Sequence, residues 1–196
     1  RWMSLIGIIL ISMTVFGGSY CENNSTPPES SYIESYETYE AEIDGQTYNL
    51  EYRLTRPKDS LPHPLAIMTH GRNGPHPDRN TSDVKDYADL CSTLASRGYT
   101  VMLLIRRGYG NSNGPDSELK DTPYESGMEA TKDLLSAVTY MKTQPYVIPE
   151  KIVVMGHSQG GWAAIAFSTL KDTGVLGTVN ISGGTNYIGI SSDSLS

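Results

Sequence analysis

The residues best equipped for chemistry are Gly156-His157-Ser158-Gln159-Gly160-Gly161. A β-branched run, residues 151–155 (KIVVM), leads into them, and Trp162-Ala163-Ala164 opens an apolar helical pattern behind them. A serine on so tight a strand-to-helix turn has strained backbone angles, and glycines two places to either side let strand and helix come close. The turn lifts the Ser158 hydroxyl above the sheet. It also directs the backbone N–H of Gln159, at the helix start, toward the carbonyl oxygen of a substrate. A hydroxyl nucleophile beside an anion-binding N–H is the equipment of acyl transfer. A glycine-rich turn with an incidental serine would share the spacing without needing a strand before it and a helix after it.

Serine attacks well only when a histidine takes its proton and an acid orients that histidine. The chain has four histidines, His63, His70, His76 and His157, and none follows Ser158. His157 precedes the serine, so it faces the sheet side and is expected to pack rather than act as base. His76 lies in a Pro-rich loop that could hang over the site. His63, between Leu61-Pro62 and Pro64, reads as a surface turn residue. Past Ser158 the only acids are Asp172 and Asp193. Asp172, ending the helix after the serine, reads as a solvated charge.

These groups need a scaffold, and hydrophobic patterning supplies one. Tyr36–Asp44 and Gln46–Thr55 alternate in polarity around Asp44-Gly45, a hairpin signal. Residues 65–69 form a short apolar strand ending in His70-Gly71. Residues 83–97 place Val84, Tyr87, Leu90, Cys91 and Leu94 on one helical face, stopped by Gly98. Residues 99–105 (YTVMLLI) are continuously apolar, as in a strand covered on both faces. Thr122-Pro123-Tyr124-Glu125 combines a capping box with proline in the first turn, and Met128, Thr131, Leu134, Leu135, Val138 and Met141 continue that helix. A helix over 158–171 and a strand over 175–181 follow. A hairpin followed by strand–helix alternation predicts an α/β fold with an open, mostly parallel sheet and an N-terminal antiparallel hairpin.

The remaining sequence speaks to location and partners. Leu5–Phe16 is an uncharged, mostly apolar run, too short for a span of about 20 residues and suited to a signal peptide over residues 1–20. Residues 21–35 are polar, acidic and rich in Pro and Ser, which predicts a disordered tether before a domain over 36–196. Cys21 between leader and tether resembles the acylated cysteine of a bacterial lipoprotein, although Tyr20 is bulkier than the residue usual there, so plain secretion stays open. Cys91 reads as a small core residue. The 196 residues carry a formal net charge of −7, which argues against nucleic-acid binding. No metal-ligand spacing and no phosphate-cradling glycine loop occurs, so no cofactor is implied.

The serine turn resembles the nucleophile elbow of α/β-hydrolases, and the resemblance extends on both sides. His70-Gly71-Arg72-Asn73-Gly74 follows the third strand, where that superfamily carries an HG-type oxyanion loop. The resemblance makes Ser158 the nucleophile and the backbone N–H groups of Gln159 and Arg72, or less directly Asn73, the oxyanion donors. Arg107-Gly108-Tyr109-Gly110-Asn111-Ser112-Asn113-Gly114 resembles the R-G-x-G-x-S-x-G loop of the same fold. Many relatives have an aspartate two places before that arginine; Ile105 stands here, so anchoring by that carboxylate is absent. With residues 144–151 (QPYVIPEK) before G-H-S-Q-G-G, the chain is most similar to dienelactone-hydrolase-like and prolyl-oligopeptidase-like serine hydrolases.

In that superfamily the order is Ser, then Asp or Glu, then His. The resemblance therefore implies further strands, a histidine and an acid beyond residue 196, and weak or absent activity for residues 1–196 alone. Asp193, after the strand at 175–181, is the candidate acid within the chain. The implied substrate is a small ester or a peptide, with no nucleic acid and no membrane contact beyond a lipid on Cys21. Three functions follow: an esterase working through a Ser158 acyl-enzyme, a prolyl-oligopeptidase-like peptidase, or a non-catalytic binding protein on the same fold.

Overall fold

Asp44 and Gly45 both adopt left-handed backbone angles, φ 52° and 74°. That pair of angles makes the tight turn whose twist matches an antiparallel ribbon. The turn joins β1 (Tyr32–Ile43) to β2 (Gln46–Pro57), paired along their whole length from Tyr32↔Pro57 to Ile43↔Gln46. The computed structural model describes residues 30–72, 83–170 and 174–184. The proposed leader, Cys21, Asn73, His76, Asp172 and Asp193 lie outside the described residues. β1 begins at Tyr32, inside the stretch read as tether; residues 32–35 gain a partner strand that composition could not reveal.

The other elements are β3 (His63–Thr69), α1 (Ala88–Ser96), β4 (Thr100–Leu104), α2 (Pro123–Lys142), β5 (Val147–His157), α3 (Gln159–Phe167) and β6 (Val175–Ile181). The sheet order is β1-β2-β4-β3-β5-β6. β2 runs antiparallel to β4, and β4, β3, β5 and β6 are mutually parallel. The predicted mixed sheet is the one observed. β3 is central: Leu65 and Ile67 join the core under α2 and α3, whereas Ala66 and Met68 join the core under α1. Both faces of β3 and β4 are covered, which explains their unbroken apolar composition.

Three expectations change in detail, the first being the helix predicted over 158–171, which runs from Gln159 to Phe167. The helix predicted from residue 83 starts at Ala88, because Tyr87 sits at φ 57°, ψ 24°, outside the right-handed helical region. The apolar periodicity runs through residues 84–87 although the backbone there forms turns. β3 starts at His63 rather than Leu65, and His63 is no surface turn residue. Its ring is half-buried, with Nδ1 3.1 Å from the Gly98 carbonyl and Nε2 2.8 Å from Asp59. It pins the start of β3 to the end of α1. The Thr122 capping box is present in full: Glu125 N–H donates to Thr122 Oγ1 at 3.2 Å and Thr122 N–H to Glu125 Oε2 at 3.0 Å. Among the described residues no helix is long and apolar enough to cross a membrane.

Candidate active site

Ser158 occupies φ 53°, ψ −119°, between the end of β5 and the first residue of α3. A left-handed φ on a non-glycine residue costs roughly 1–2 kcal/mol. It persists here because the chain is held on both sides. Ser158 N–H donates to the Ile181 carbonyl at 2.8 Å, and Trp162 N–H returns to the Ser158 carbonyl at 3.2 Å, starting α3. The flanking glycines are sterically required. A Cβ on Gly156 would overlap the Gly160 carbonyl, one on Gly160 would overlap the carbonyls of Thr69 and His70, and one on Gly161 would overlap the Asn180 side chain. Strand β5, helix α3 and the end of β3 thus meet backbone against backbone.

The chain leaving β3 passes directly beside the serine. A Cβ on Gly71 would lie 3.1 Å from Ser158 Cβ and 3.3 Å from His157 Nδ1. Arg72 is therefore brought next to the elbow, and Gln159, at the first position of α3, carries an N–H with no partner inside the helix. Of the residues singled out from sequence, Ser158, Gln159 and Arg72 come together; Asp193 lies outside the described residues.

Three hydrogen-bonded supports hold the Gly71–Arg72 segment, and sequence reasoning found none of them. His70 is fully buried; its Nε2 accepts Arg106 N–H at 3.1 Å, so Nδ1 carries the proton and donates to the Gly71 carbonyl at 2.7 Å. Burial, with the Arg106 guanidinium beside it, holds this imidazole well below the ordinary histidine range and keeps it neutral. Tyr87 supplies the second support: its hydroxyl accepts Gly71 N–H at 3.3 Å and lies 2.9 Å from His157 Nδ1. Burial pushes that hydroxyl above the ordinary tyrosine range, so it keeps its proton.

The third support is ionic. Glu118, fully buried, receives Arg72 Nε at 2.7 Å on one oxygen and Arg106 Nη2 at 2.7 Å on the other. Arg106 Nη1 also donates to Thr69 Oγ1 at 2.7 Å and to the His70 carbonyl at 2.6 Å. Burial alone would raise the Glu118 carboxyl, but Arg106 and Arg72 outweigh it and hold it below the ordinary glutamate range. Nothing in the local sequence marked this contact, which joins residues far apart in the chain.

The loop after β4 is anchored despite Ile105. Asp133 on α2 takes both Arg107 Nε and Arg107 N–H, Ser112 Oγ donates to the Ile105 carbonyl at 2.7 Å, and Asn111 is held by Glu51. The carboxylate missing from the sequence pattern is replaced from α2. The described histidines are all committed: His63 to Asp59 and Gly98, His70 to Gly71 and Arg106, and His157 to Tyr87. Among the described residues none is bonded to Ser158 Oγ, and no group of His, Cys, Asp and Glu is arranged to hold a metal ion.

The elbow and its sheet order belong to a known pattern, and the sequence matches the Dienelactone hydrolase family over residues 50–193. The chain belongs to the dienelactone hydrolase family. Among similar proteins are YtaP of Bacillus subtilis, named as a hydrolase, at 29% identity over 147 residues, and the esterase EstD of Thermotoga maritima, at 28% identity over 127 residues. These matches take in 69% and 65% of the chain but 49% and 28% of the relatives. The chain thus spans about half the length of YtaP and less of EstD. The acetyl xylan esterase from Paenibacillus sp. R4 shares the fold, with a TM-score of 0.56 at 18% identity, over 76% of this chain and 48% of that one. The α/β-hydrolase fold is therefore that of the dienelactone hydrolase family member described here.

Proposed function

We propose that this chain carries the nucleophile of a serine hydrolase that cleaves ester or related acyl bonds through an acyl-enzyme on Ser158. The observation that carries the reading is the left-handed Ser158 backbone at the β5–α3 turn, with Gly71 against its Cβ. Strain of this kind survives where the surroundings over-determine it, and its effect here is to raise one hydroxyl at the head of a helix.

In the proposed reaction a base removes the Ser158 proton as Oγ bonds to the acyl carbon. The carbonyl π pair moves to oxygen, where the Gln159 and Arg72 N–H groups offset the new negative charge. Collapse of that adduct breaks the bond to the leaving oxygen, which takes the proton back from the base and departs as an alcohol. Water then repeats the sequence on the acyl-enzyme and releases the acid. With His63, His70 and His157 committed elsewhere, the base comes from outside the described residues.

In the full-length protein, a fluorophosphonate is expected to label Ser158, located by mass spectrometry of the peptide that carries it. Ser158→Ala is expected to lose turnover of p-nitrophenyl acetate by about 10⁴-fold or more, in line with removal of a serine nucleophile elsewhere. Unchanged turnover in that variant overturns the proposal. Faster cleavage of an acyl-peptide anilide than of the ester would move the substrate class to amides while keeping Ser158.

A further inference from the structure

Three segments of the chain meet at one oxygen. Gly71 N–H, just past β3, donates to the Tyr87 hydroxyl at 3.3 Å, and that hydroxyl lies 2.9 Å from Nδ1 of His157, the last residue of β5. Gly71 N–H can only donate, so the phenol oxygen accepts there. The one phenolic proton is then free for His157 Nδ1, which leaves the imidazole proton on Nε2. The bridge joins two chain segments just where the β3–β5 ladder ends, after Thr69↔Gly156.

Its position matters because the space is tight. With Gly71 against Ser158 Cβ, a small shift of the loop alters the distance from Ser158 to Arg72 N–H. The Gly71 carbonyl, held by His70, shares a peptide unit with that N–H. In a planar trans peptide the C=O and N–H point in opposite directions. His70 therefore sets the tilt of this peptide, and Tyr87 sets the place from which it starts. Tyr87 reaches the spot from a left-handed backbone, φ 57° and ψ 24°, at the head of α1. A glycine would take that conformation without strain but has no hydroxyl to deliver.

We propose that Tyr87 is a positioning residue of this hydrolase, whose hydroxyl ties the oxyanion loop to the nucleophile elbow and so sets the aim of Arg72 N–H at the substrate acyl oxygen. The proposal rests on Ser158 being the nucleophile. Its test uses Tyr87→Phe in the full-length protein, with Ser158→Ala alongside. The phenylalanine keeps the ring, which stands 5.7 Å from that of His157, and removes only the bridge.

Tyr87→Phe is expected to lower kcat about tenfold, short of the 10²–10³ lost when an oxyanion donor itself is removed. KM should stay within about twofold, the mark of an interaction made in the transition state. The preference for an oxoester over its thionoester, which reports how closely the donors fit oxygen, should fall by a similar factor. Loss of folded protein alone would lower turnover of both esters equally and leave that preference untouched. An unchanged oxoester preference, with or without a loss of kcat, overturns the role of Tyr87 when Ser158→Ala is inactive. Turnover retained in Ser158→Ala overturns the underlying reading instead.

Discussion

The two ends of the molecule are packed by opposite means. Beneath the hairpin, Tyr39, Tyr52 and Tyr140 fill the space with rings: Tyr39 and Tyr140 stack at 4.5 Å between centroids, and Tyr52 meets each edge-on at 5.9 Å. At the elbow the filling is backbone. Gly156 faces the Gly160 carbonyl, Gly160 faces the carbonyls of Thr69 and His70, and Gly183 faces that of Ser158. Left-handed non-glycine residues cluster there too, at Ser158, Tyr87 and Ser182, whereas near the hairpin only turn residue Asp44 is of that kind. Side-chain packing can relax around a lost atom. Backbone packing has no slack for an added one, and that rigidity keeps a hydroxyl and its neighbouring N–H groups at fixed separation.

The largest effect should come from adding one methyl group at the elbow. Gly156→Ala is expected to cost about 3 kcal/mol or more, the severe end of overpacking, because the new atom meets a carbonyl with nowhere to move. Gly177→Ala in β6, whose Cβ would meet nothing within 4 Å, should stay within about 0.5 kcal/mol. Urea unfolding of the pair checks both. Equal costs would dissolve the contrast between the packed turn and an open strand.

Glu118→Gln comes next. It leaves Arg72 and Arg106 without their shared carboxylate, and breaking a buried charge network of this kind costs about 3 kcal/mol. The pH dependence follows from the directions of the shifts. Glu118 is depressed in the folded state, so its stabilisation is full above the ordinary glutamate value of 4.5 and is lost as pH falls through the folded value. His70 is also depressed, below 6.5, so acid that protonates it in the unfolded chain favours unfolding below that pH. Resistance of the wild type to denaturation should therefore fall on acidification in two stages. Glu118→Gln should lack the lower one, and an identical acid profile would remove Glu118 from this account.

The smallest effect belongs to the tyrosine cluster. Tyr140→Phe removes a hydroxyl 3.1 Å from that of Tyr52, which keeps its bond to Glu37 Oε2 at 2.6 Å. A loss of about 1 kcal/mol or less is expected, with ester turnover unchanged. A fall in turnover would show that the far side of α2 communicates with the elbow.

What could be read from sequence divides along the same line. The strands, the Asp44-Gly45 turn, the Thr122 capping box and the Ser158 turn were legible because each is written in neighbouring residues: apolar runs, a turn pair, a cap, a glycine spacing. Tyr87 was placed on a helix because its apolar ring fits the three-and-four spacing. Its left-handed backbone and its hydroxyl's bonds to Gly71 and His157 leave no local trace. In the sequence nothing distinguishes Glu118 from the other charges of its polar segment, or Asp133 from those of its helix. Both are buried partners of arginines distant in sequence, and pairing across such distances has no period to detect.

The central place of β3 also governs the order in which the molecule can be assembled. The hairpin closes within its own residues, and β4 follows β3 after a short helix, but β3's other neighbour is β5. At roughly 5–20 residues per second, the ribosome needs about 4–18 s between delivering Thr69 and His157. Throughout that interval one edge of an apolar strand lacks its partner and can pair with another chain. The loop carrying Gly71 meanwhile has no elbow to rest against. Conditions that lengthen this interval, such as slow codons between α2 and β5, should therefore lower the yield of folded protein without altering the native molecule at all.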